Sequence, residues 1–395
     1  MKNTKKTKNT RKTANTTENT FTVTGDTDLS KLYGPSDFKY VHVITGYTIR
    51  LKNGRVTLRD TTEFRHCTFV PSNEDDDSAI VSTGTVILVN CDIAGEILIR
   101  SASTVQLESC KGSSVTLRRN PSPDDAAAIF ANCSINHVAV SDYTSVKLQG
   151  CKANSVFAKR VNGYVDLVDT EISGERFSDP RLELYRCAGC SLHLLNTTME
   201  NAVAKVNESF LLSFHVNYSS VRRIYVHRTS LGDFSVDKSS SVGLIDAQNA
   251  SCGSPASITS EKKPLVATYM AAGFPRFDAT MYKKVFMKRL FRDNLNWIVL
   301  ELSVPASAEA RYSSYTNKIR VSEARVVKAY ALPESGNAVA PTKIPFMATL
   351  YSIYDQSFPY RIGRTAKPRK AFDESDAECS SGIHGFLDIM EAASY

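Results

Sequence analysis

Val105-Gln106-Leu107-Glu108-Ser109-Cys110 is one copy of the pattern that decides the fold of this 395-residue chain. Two apolar residues flank a variable one, and two further residues lead to a small residue that is usually cysteine. The pattern returns between residues 64 and 236, with close copies at 86–91, 146–151 and, ending in threonine, 165–170. Alternation of apolar and polar residues over so few positions is the period of a half-buried β-strand.

A second strand follows in each unit, because two more apolar residues come five and seven positions after the small one, as Val115 and Leu117 do after Cys110. A unit of about 18 to 24 residues with two short strands matches the coil of a solenoid. One coil cannot bury its apolar face alone, so the coils must stack and bond to each other. We therefore predict a mainly β fold, with a β-solenoid or β-helix-like rod over residues 26–265.

The small residues are predicted to form one ladder inside the rod, at equivalent points of successive coils. Its members are Cys67, Cys91, Cys110, Cys133, Cys151, Thr170 and Cys187. Small, weakly polar side chains pack well in a narrow core. An odd total of nine cysteines and no apolar segment behind Met1 favour reduced thiols in a protein that is not secreted. The lone Cys-x-x-Cys at 187–190 lacks the second pair of a zinc site, so we expect no metal and no cofactor.

The repeat is interrupted or blurred in three places. Acidic runs at 73–77 and 120–125 lengthen the interval between small residues, and neither has the spacing that gathers oxygens around calcium. We interpret both as solvated loops. Between residues 196 and 249 the register blurs, so we expect irregular coils or coils with a third strand there.

The net charge of +7 is concentrated at the amino-terminal end. Residues 1–20 contain one acid, Glu18, and six basic residues, which are Lys2, Lys5, Lys6, Lys8, Arg11 and Lys12. This stretch cannot bury enough apolar surface to offset the entropy of ordering, so we predict a flexible arm over residues 1–25. Three roles stay open for it: contact with nucleic acid, a strap that docks on a neighbouring subunit, and a solubilising tail.

Carboxylates on the rod raise the alternative of an enzyme that cleaves glycans. Such an enzyme needs two carboxylates about 5 to 10 Å apart. Asp166 or Asp169 is predicted to approach Glu183 on the adjacent coil, although all three also fit exposed strand charges. The longest apolar stretches, such as 297–302, are too short to cross a bilayer, so we expect no contact with a membrane.

The pattern changes beyond the Ser- and Gly-rich stretch at 251–257. Longer strands are predicted at 282–287, 297–304, 318–332 and 349–354, with prolines in the connections. Asp388 and Glu391 have the spacing of a capping box, in which Asp388 accepts from first-turn amides and Glu391 reaches back. We predict a small α+β domain over residues 275–395 that ends in a short helix.

Several short motifs of this domain resemble a known family. They are Tyr351 to Asp355, Phe358 to Gly363, Pro368, Phe372-Asp373, Glu378 to Phe386, Glu391-Ala392 and Tyr395. The match covers about residues 280–395 and resembles a C-terminal domain of unknown function from proteins of large DNA viruses and bacteriophages. That domain often follows pentapeptide repeats or other solenoids, so the resemblance implies a viral protein but attaches no activity to these positions.

The most specific motif contains Cys379, Gly382, Ile383, His384 and Phe386. As a packed turn, it uses Gly382 for backbone freedom and points Ile383 and Phe386 inward. As a catalytic site, it needs a Cys379 nucleophile beside His384, with Glu378 or Asp355 as the orienting group. A pocket for a binding partner is the third interpretation.

These observations favour a non-enzymatic structural or assembly protein, located in a virion or the host cytoplasm. Its partners are expected to be other protein subunits, either copies of itself or viral structural proteins. The alternative is a nucleic-acid-associated protein that binds through its arm, and an enzyme is the third hypothesis.

Retention on a DNA column tests the alternative. If the arm binds phosphates, retention falls steeply as salt rises from 50 to 200 mM, because each neutralised phosphate releases counterions. A variant with alanine at the six basic positions of the arm should then elute early at every salt concentration. Identical elution of the variant and the wild type would exclude a role of the arm in DNA binding.

Overall fold

The computed structural model describes residues 19–24, 27–29, 41–52, 55–58, 60–71, 79–101, 103–119, 125–173, 181–287, 296–313, 317–332, 340–342, 349–373, 375 and 380–395. These residues confirm the predicted fold class, because they form a β-solenoid of about 10 turns followed by small β-sheets. Residues 1–18 of the predicted arm, the acidic run at 73–77, residues 120–124 and the motif residue Cys379 lie outside the described residues. Residues 19–24, which belong to the predicted flexible arm, instead form a strand that pairs in parallel with residues 47–52 of the rod.

Two parallel sheets form the solenoid. The described part of the first sheet has 17 strands: β1 (Asn19–Thr24), β2 (Thr27–Asp28), β4 (Tyr47–Lys52), β5 (Arg55–Leu58), β7 (Thr68–Pro71), β8 (Ala79–Ser82), β10 (Asp92–Ser101), β12 (Lys111–Arg119), β14 (Ser134–Ser141), β16 (Lys152–Ala153), β17 (Ser155–Lys159), β19 (Glu171–Ile172), β20 (Arg181–Tyr185), β22 (Thr198–Asn207), β24 (Ser220–His227), β26 (Ser241–Gln248) and β29 (Leu265–Tyr269).

The described part of the second sheet has 12 strands: β3 (Val41–Thr45), β6 (Thr61–Arg65), β9 (Val86–Val89), β11 (Val105–Glu108), β13 (Ala127–Ala131), β15 (Ser145–Gln149), β18 (Tyr164–Val168), β21 (Ala188–Leu195), β23 (Phe210–Asn217), β25 (Ser230–Val236), β27 (Ser251–Cys252) and β28 (Ser257–Ile258).

Parallel pairing places equivalent residues of successive coils above one another. Val105 on β11 pairs in register with Val86 on β9 and with Ala128 on β13, and all three side chains are buried. The intervening residues, such as Gln106, point outward. Each coil therefore adds one layer to a continuous apolar core, which is the burial that a single coil cannot achieve.

The chain turns between the sheets through one left-handed residue. Ser109, for example, has φ 53°, and the next residue, Cys110, points into the core. The Cys110 thiol donates to the carbonyl of Glu108 in its own coil and to that of Leu88 in the preceding coil, both at 3.4 Å. The thiol thus satisfies carbonyls at a buried corner, where an unpaired polar group would be costly.

The inward ladder differs from the prediction, because Cys187 does not belong to the column of the other six. That column runs through Thr170 and continues with Thr197, as the bond from the Thr198 amide to the Thr170 carbonyl shows. Cys187 lies at the opposite corner, where its amide donates to Ser209 Oγ at 3.1 Å. The spacing misleads because the opposite corner, which holds Tyr143 and Val161 in the preceding coils, has a small residue in this coil after the same alternation of apolar positions.

The coils between residues 196 and 249 are regular, so the expectation of irregular or three-stranded coils is wrong. Strands β22 to β26 pair over nearly their full lengths, and the shift between Met199 and Val203 is a local one. The corner positions hold Thr197, Ser219 and Ser240 instead of cysteine, so the sequence pattern blurs while the geometry persists.

The corner thiols are buried and reduced. None of the eight cysteines in the described part of the chain forms a disulfide. Interaction with the neighbouring Cys110 and Cys67 thiols, together with burial, raises the pKa of Cys91. Contacts of the same kind between thiols lower the pKa of Cys67, Cys110 and Cys151. Because no thiol of this column is more than 3% exposed, we assign the column a packing role.

The described residues of the C-terminal domain form two antiparallel sheets and one helix. The larger sheet comprises β30 (Ala279–Met287), β31 (Asn296–Val304), β34 (Ala324–Ala331), β35 (Ala340–Thr342), β36 (Leu350–Ser352), β37 (Pro359–Tyr360) and β38 (Thr365–Ala366). The smaller sheet comprises β32 (Ala310–Tyr312), β33 (Ile319–Val321) and β39 (Ile383–Gly385), and the helix is α1 (Ile389–Ser394). Across the described residues, no helix is long and apolar enough to span a membrane.

The domain packs against the side of the rod. Tyr225, Leu244 and Leu265 lie on the outer face of the last coils, yet they are buried in one core with residues of the C-terminal domain. Phe274 and Phe277 pack instead on the core of the solenoid, and the ring centroid of Phe274 lies 5.9 Å from that of Phe234. The connection between the two units therefore covers apolar surface of the last coil.

Replacement of Cys110 tests the corner. Cys110→Leu should lower the free energy of unfolding by about 1–3 kcal/mol, because the added volume overpacks a closed corner. Cys110→Thr should cost less, since Thr170 fills the equivalent position and donates to the equivalent carbonyls. Urea unfolding measures both, and equal, negligible effects would contradict the inward orientation.

Candidate functional site

A cavity of about 810 Å³ opens in the C-terminal domain. Strands β30, β36, β37 and β39 contribute to its walls, so both sheets of the domain take part. Segments 368–370 and 380–382 and the terminal residue Tyr395 complete the lining. Most of the motifs that carry the family resemblance therefore contribute residues to the wall of one cavity, although the first and the last of them, at Tyr351 and Tyr395, are 44 positions apart along the chain.

The charged residues of the lining are mostly basic. They are Lys283, Lys284, Lys318, Arg369 and Lys370, and Asp355 is the one carboxylate among the described lining residues. Hydrogen bonds from the hydroxyl of Ser357 at 2.5 Å and from its amide at 2.9 Å lower the pKa of Asp355. This carboxylate is thus ionised and bonded within its own turn.

Lys283 is a buried cation at the wall of the cavity. The residue is 8% exposed, and its Nζ donates to the His384 carbonyl at 2.9 Å and lies 5.7 Å from the centre of the Tyr360 ring. Burial and the positive charge of Lys318 lower the pKa of Lys283 to about 8. An ammonium held among a carbonyl, a ring and a second lysine has, among the residues that the structure describes, no carboxylate of the kind that normally compensates a buried charge.

Aromatic side chains form the remaining surface. Tyr354 and Tyr395 are joined by a hydrogen bond of 2.8 Å between their hydroxyls, and the Phe386 ring lies 5.1 Å from that of Tyr395. Lys318 Nζ lies 4.5 Å from the centre of the Tyr395 ring, within the range of a cation–π contact. Tyr354 is 76% exposed, so part of this aromatic surface faces solvent.

Arg320 holds the segment that leads to the motif. The residue is 4% exposed, and its guanidinium donates to the carbonyls of Asp373 at 2.5 Å, Ser375 at 2.6 Å and Ser381 at 2.9 Å. A Cβ on Gly382 would lie 2.3 Å from Arg320 Cγ, and the Gly382 φ of 155° is itself unfavourable for other residues. Glycine is therefore required where the chain crosses this arginine.

The rest of the motif is packed. Ile383 is buried between the sheets, where β39 pairs with β33, and Phe386 exchanges both backbone hydrogen bonds with Tyr282. His384 is half-buried and lines the cavity. Because Cys379 and Glu378 lie outside the described residues, the catalytic pairing of Cys379 with His384 stays a prediction.

The predicted pair of rod carboxylates is not brought together. Asp166 lies on β18 of the second sheet, where it contacts His193 at 2.9 Å, whereas Glu183 lies on β20 of the first sheet. Asp169 occupies a corner and accepts from Asn196 at 2.7 Å. The interpretation of these carboxylates as a glycan-cleaving pair is therefore wrong, because strands that are close along the chain, such as β18 and β20, lie in different sheets on opposite faces of the rod.

Glu391 does not complete the predicted capping box. Asp388 Oδ1 accepts from the amides of Met390 at 2.7 Å and Glu391 at 3.0 Å, as expected. The Glu391 carboxylate instead lies 2.5 Å from Arg222 and 3.5 Å from Arg223, two residues on β24 of the rod. The sequence gives no indication of this contact, apart from two consecutive arginines on a strand.

Further contacts join the rod and the domain. Arg311 donates to the Thr268 carbonyl at 2.6 Å, and the rings of Tyr225 and Tyr312 lie 5.3 Å apart. Asp246, 2% exposed, accepts from His227 at 3.1 Å, and burial raises the pKa of Asp246. This interface is well bonded, and its polar groups have partners.

Comparison with known proteins finds a family model that matches most of the region lining the cavity. A family model described as "Family of unknown function (DUF5758)" matches residues 270–392, which confirms the resemblance of this region to a family of unknown function. No curated protein matches the chain. A solved structure titled "Geobacillus virus E2 - ORF18" is similar at 10% identity over 90% of this chain and 71% of that chain, with a TM-score of 0.23. So low a TM-score bears on neither fold nor function, and the viral origin stays a prediction.

Substitution of two glycines separates packing from backbone strain. Gly382→Ala should lower the free energy of unfolding by about 3 kcal/mol, because its Cβ meets an arginine that three carbonyls hold in place. Gly363→Ala is the control, since Gly363 has φ 75° and open space around it, and only the strain of about 1 kcal/mol applies. Fluorescence of Trp297, the single tryptophan of the chain, reports unfolding of this domain. Equal losses would contradict the close approach to Arg320.

Proposed function

We propose that this chain is a non-enzymatic structural or interaction protein, in which the solenoid holds the C-terminal domain in a fixed position for binding to a partner. The observation that carries the proposal is the common core of rod and domain, in which outward residues of the last coils are buried by the domain. A flexibly tethered domain would leave those residues exposed. A rigid connection is what a spacer needs in order to present a binding surface at a set place.

Polar contacts add to this core. Glu391 bonds to arginines of β24, and Arg311 bonds to a carbonyl of β29, so the domain is held at two separate coils. Contacts of opposite charge that are partly shielded from water are stronger and more geometrically demanding than surface ion pairs. The domain is therefore oriented as well as attached.

The outer surface of the rod suits a spacer. Opposite charges on successive coils form ion pairs at several places, as in the pairs Lys111–Asp92 at 3.4 Å, Lys152–Glu171 at 3.1 Å and Arg186–Glu208 at 3.0 Å. Mixed charges keep the rod soluble and give it no field of one sign that would attract nucleic acid. In this proposal the partners are protein subunits, copies of this chain or components of a virus particle, and the basic arm supplies a further attachment. The nucleic-acid alternative stays with the arm, and the DNA column described above tests it.

Charge reversal at Glu391 tests the proposal. Glu391→Lys places a cation beside Arg222 and Arg223, so the domain should detach from the rod and the assembly that contains this chain should be lost. Size-exclusion chromatography of lysates from the cells that produce the chain measures the mass of its complex. Trp297 fluorescence during heating measures the stability of the domain. Glu208→Lys is the matched control, because Glu208 also contacts two arginines, at 3.0 and 3.7 Å, but lies on the rod away from the domain.

The expected result is a high-mass complex that persists in Glu208→Lys and disappears in Glu391→Lys. Recovery of the wild type only as a free monomer would contradict an assembly role. A complex that survives although Trp297 fluorescence shows a loosened domain would contradict the need for a fixed position.

A further inference from the structure

The charge distribution of the C-terminal cavity calls for an anion. Five basic side chains line it, whereas Asp355, which is bonded to Ser357, is the one acidic side chain among the lining residues that the structure describes. Positive charge in a cleft with low-dielectric walls concentrates the electric field and raises the local concentration of anions. The cavity is therefore an attractive site for a negatively charged group.

Lys283 marks where that group would lie. Its ammonium is buried beside the wall of the cavity, and the charge of Lys318 acts on it unfavourably. A backbone carbonyl and an aromatic ring stabilise an ammonium only in part, whereas an anion within reach of both lysines would turn their repulsion into attraction. The protein thus retains a costly arrangement that a ligand would relieve.

A small inorganic anion would leave most of the space empty. A cavity of about 810 Å³ is large for phosphate, and it falls within the range of about 300 to 1,000 Å³ that is usual for sites of organic ligands. Tyr354 and Tyr395 provide exposed ring surface beside the lysines, and Phe386 backs the Tyr395 ring. Aromatic side chains stack on nucleic acid bases of any kind, because every base has a flat π-face.

We propose that this cavity binds a nucleotide, with the phosphate group beside Lys283 and Lys318 and the base against Tyr354 and Tyr395. A free nucleotide and the phosphorylated end of a nucleic acid strand present the same chemistry, so both are candidate sources. An acidic peptide would use the lysines but would leave the tyrosine pair unused. The proposal is independent of the spacer role, which stands or falls with the Glu391 experiment.

Isothermal titration calorimetry of the full chain with adenosine 5′-monophosphate (AMP) tests the site. The expected result is binding at one site per chain, with adenosine and inorganic phosphate each weaker by about tenfold or more, since each supplies half of the contacts. Lys283→Met and Lys318→Met should each weaken the binding of AMP by about tenfold or more. The control is Lys328→Met, because Lys328 belongs to the same domain but pairs with Glu301 outside the cavity lining.

The stability of the variants separates binding from folding. Lys283→Met removes a buried charge, so we expect it to melt at or above the temperature of the wild type while it loses AMP. If Lys283→Met nevertheless fails to fold, Lys318→Met alone decides, because Lys318 is only partly buried. Loss of AMP binding by a stably folded variant would support the site.

The pH dependence gives an independent readout. The pKa of Lys283 is about 8 in the unliganded protein, so its ammonium is present at pH 7 and is lost as the pH rises toward 9. The phosphate of AMP carries its second charge throughout this range, since that proton dissociates near pH 6. Affinity for AMP should therefore fall between pH 7 and 9 in the wild type and change less in Lys283→Met.

Competition experiments distinguish a free nucleotide from the phosphorylated end of a nucleic acid strand, and both of these from an acidic peptide. Displacement of AMP by an oligonucleotide with a 5′-phosphate, but not by the same strand with a 5′-hydroxyl, would assign the end of a strand as the ligand. No displacement by either would assign the free nucleotide. Absence of AMP binding at millimolar concentration, equal binding by both lysine variants, or tighter binding of hexaglutamate than of AMP would overturn the proposal.

Discussion

The corner of each coil is the constraint on which the structure depends. A strand of one sheet can pass into the next only if the backbone reverses within one or two residues while its polar groups remain bonded. The left-handed residue supplies the reversal, and the small residue behind it donates to a carbonyl of its own coil and to one of the coil before. Cysteine, threonine and serine all satisfy this requirement at the corner that follows the second sheet, whereas the opposite corner also holds the larger Tyr143 and Val161. The corner that follows the second sheet is closed in the same way in successive coils, which keeps the strands of those coils stacked.

The sequence predicts this part of the fold well, because the constraint recurs at every coil and leaves a visible period. What it does not reveal is which corner a small residue occupies, since Cys187 and Thr170 follow the same alternation of apolar positions on different sheets. For the same reason, the sequence pattern predicts that the carboxylates of Asp166 and Glu183 lie on one face of the rod, whereas they lie on different sheets. Neighbours in a solenoid are set by the register between coils, and extra residues between two strands, as between β19 and β20, change the interval along the chain without changing the register.

The candidate site is less predictable for a different reason. The motif from Gly382 to Phe386 stands out in the sequence, yet its shape depends on Arg320, which precedes it by about 60 residues and looks like any strand arginine. Lys283, Lys318 and Tyr395 are equally ordinary residues until the fold brings them around one cavity. Glu391 was predicted to act locally because helix caps are local, whereas the nearby arginines of the rod offer it a stronger partner. Tertiary electrostatics outweighed a local rule.

The lateral attachment of the C-terminal domain also affects where local unfolding of the rod begins. In a solenoid each coil contacts only its neighbours, so unfolding proceeds as fraying from an exposed end, much as in a one-dimensional chain of coupled units. Here the last coils share a core with a second sheet, and their release requires that sheet to open at the same time. We therefore expect the last coils of the rod to exchange their amide protons more slowly than coils that contact only other coils. The attachment that orients the domain also gives the rod a polarity of stability along its axis.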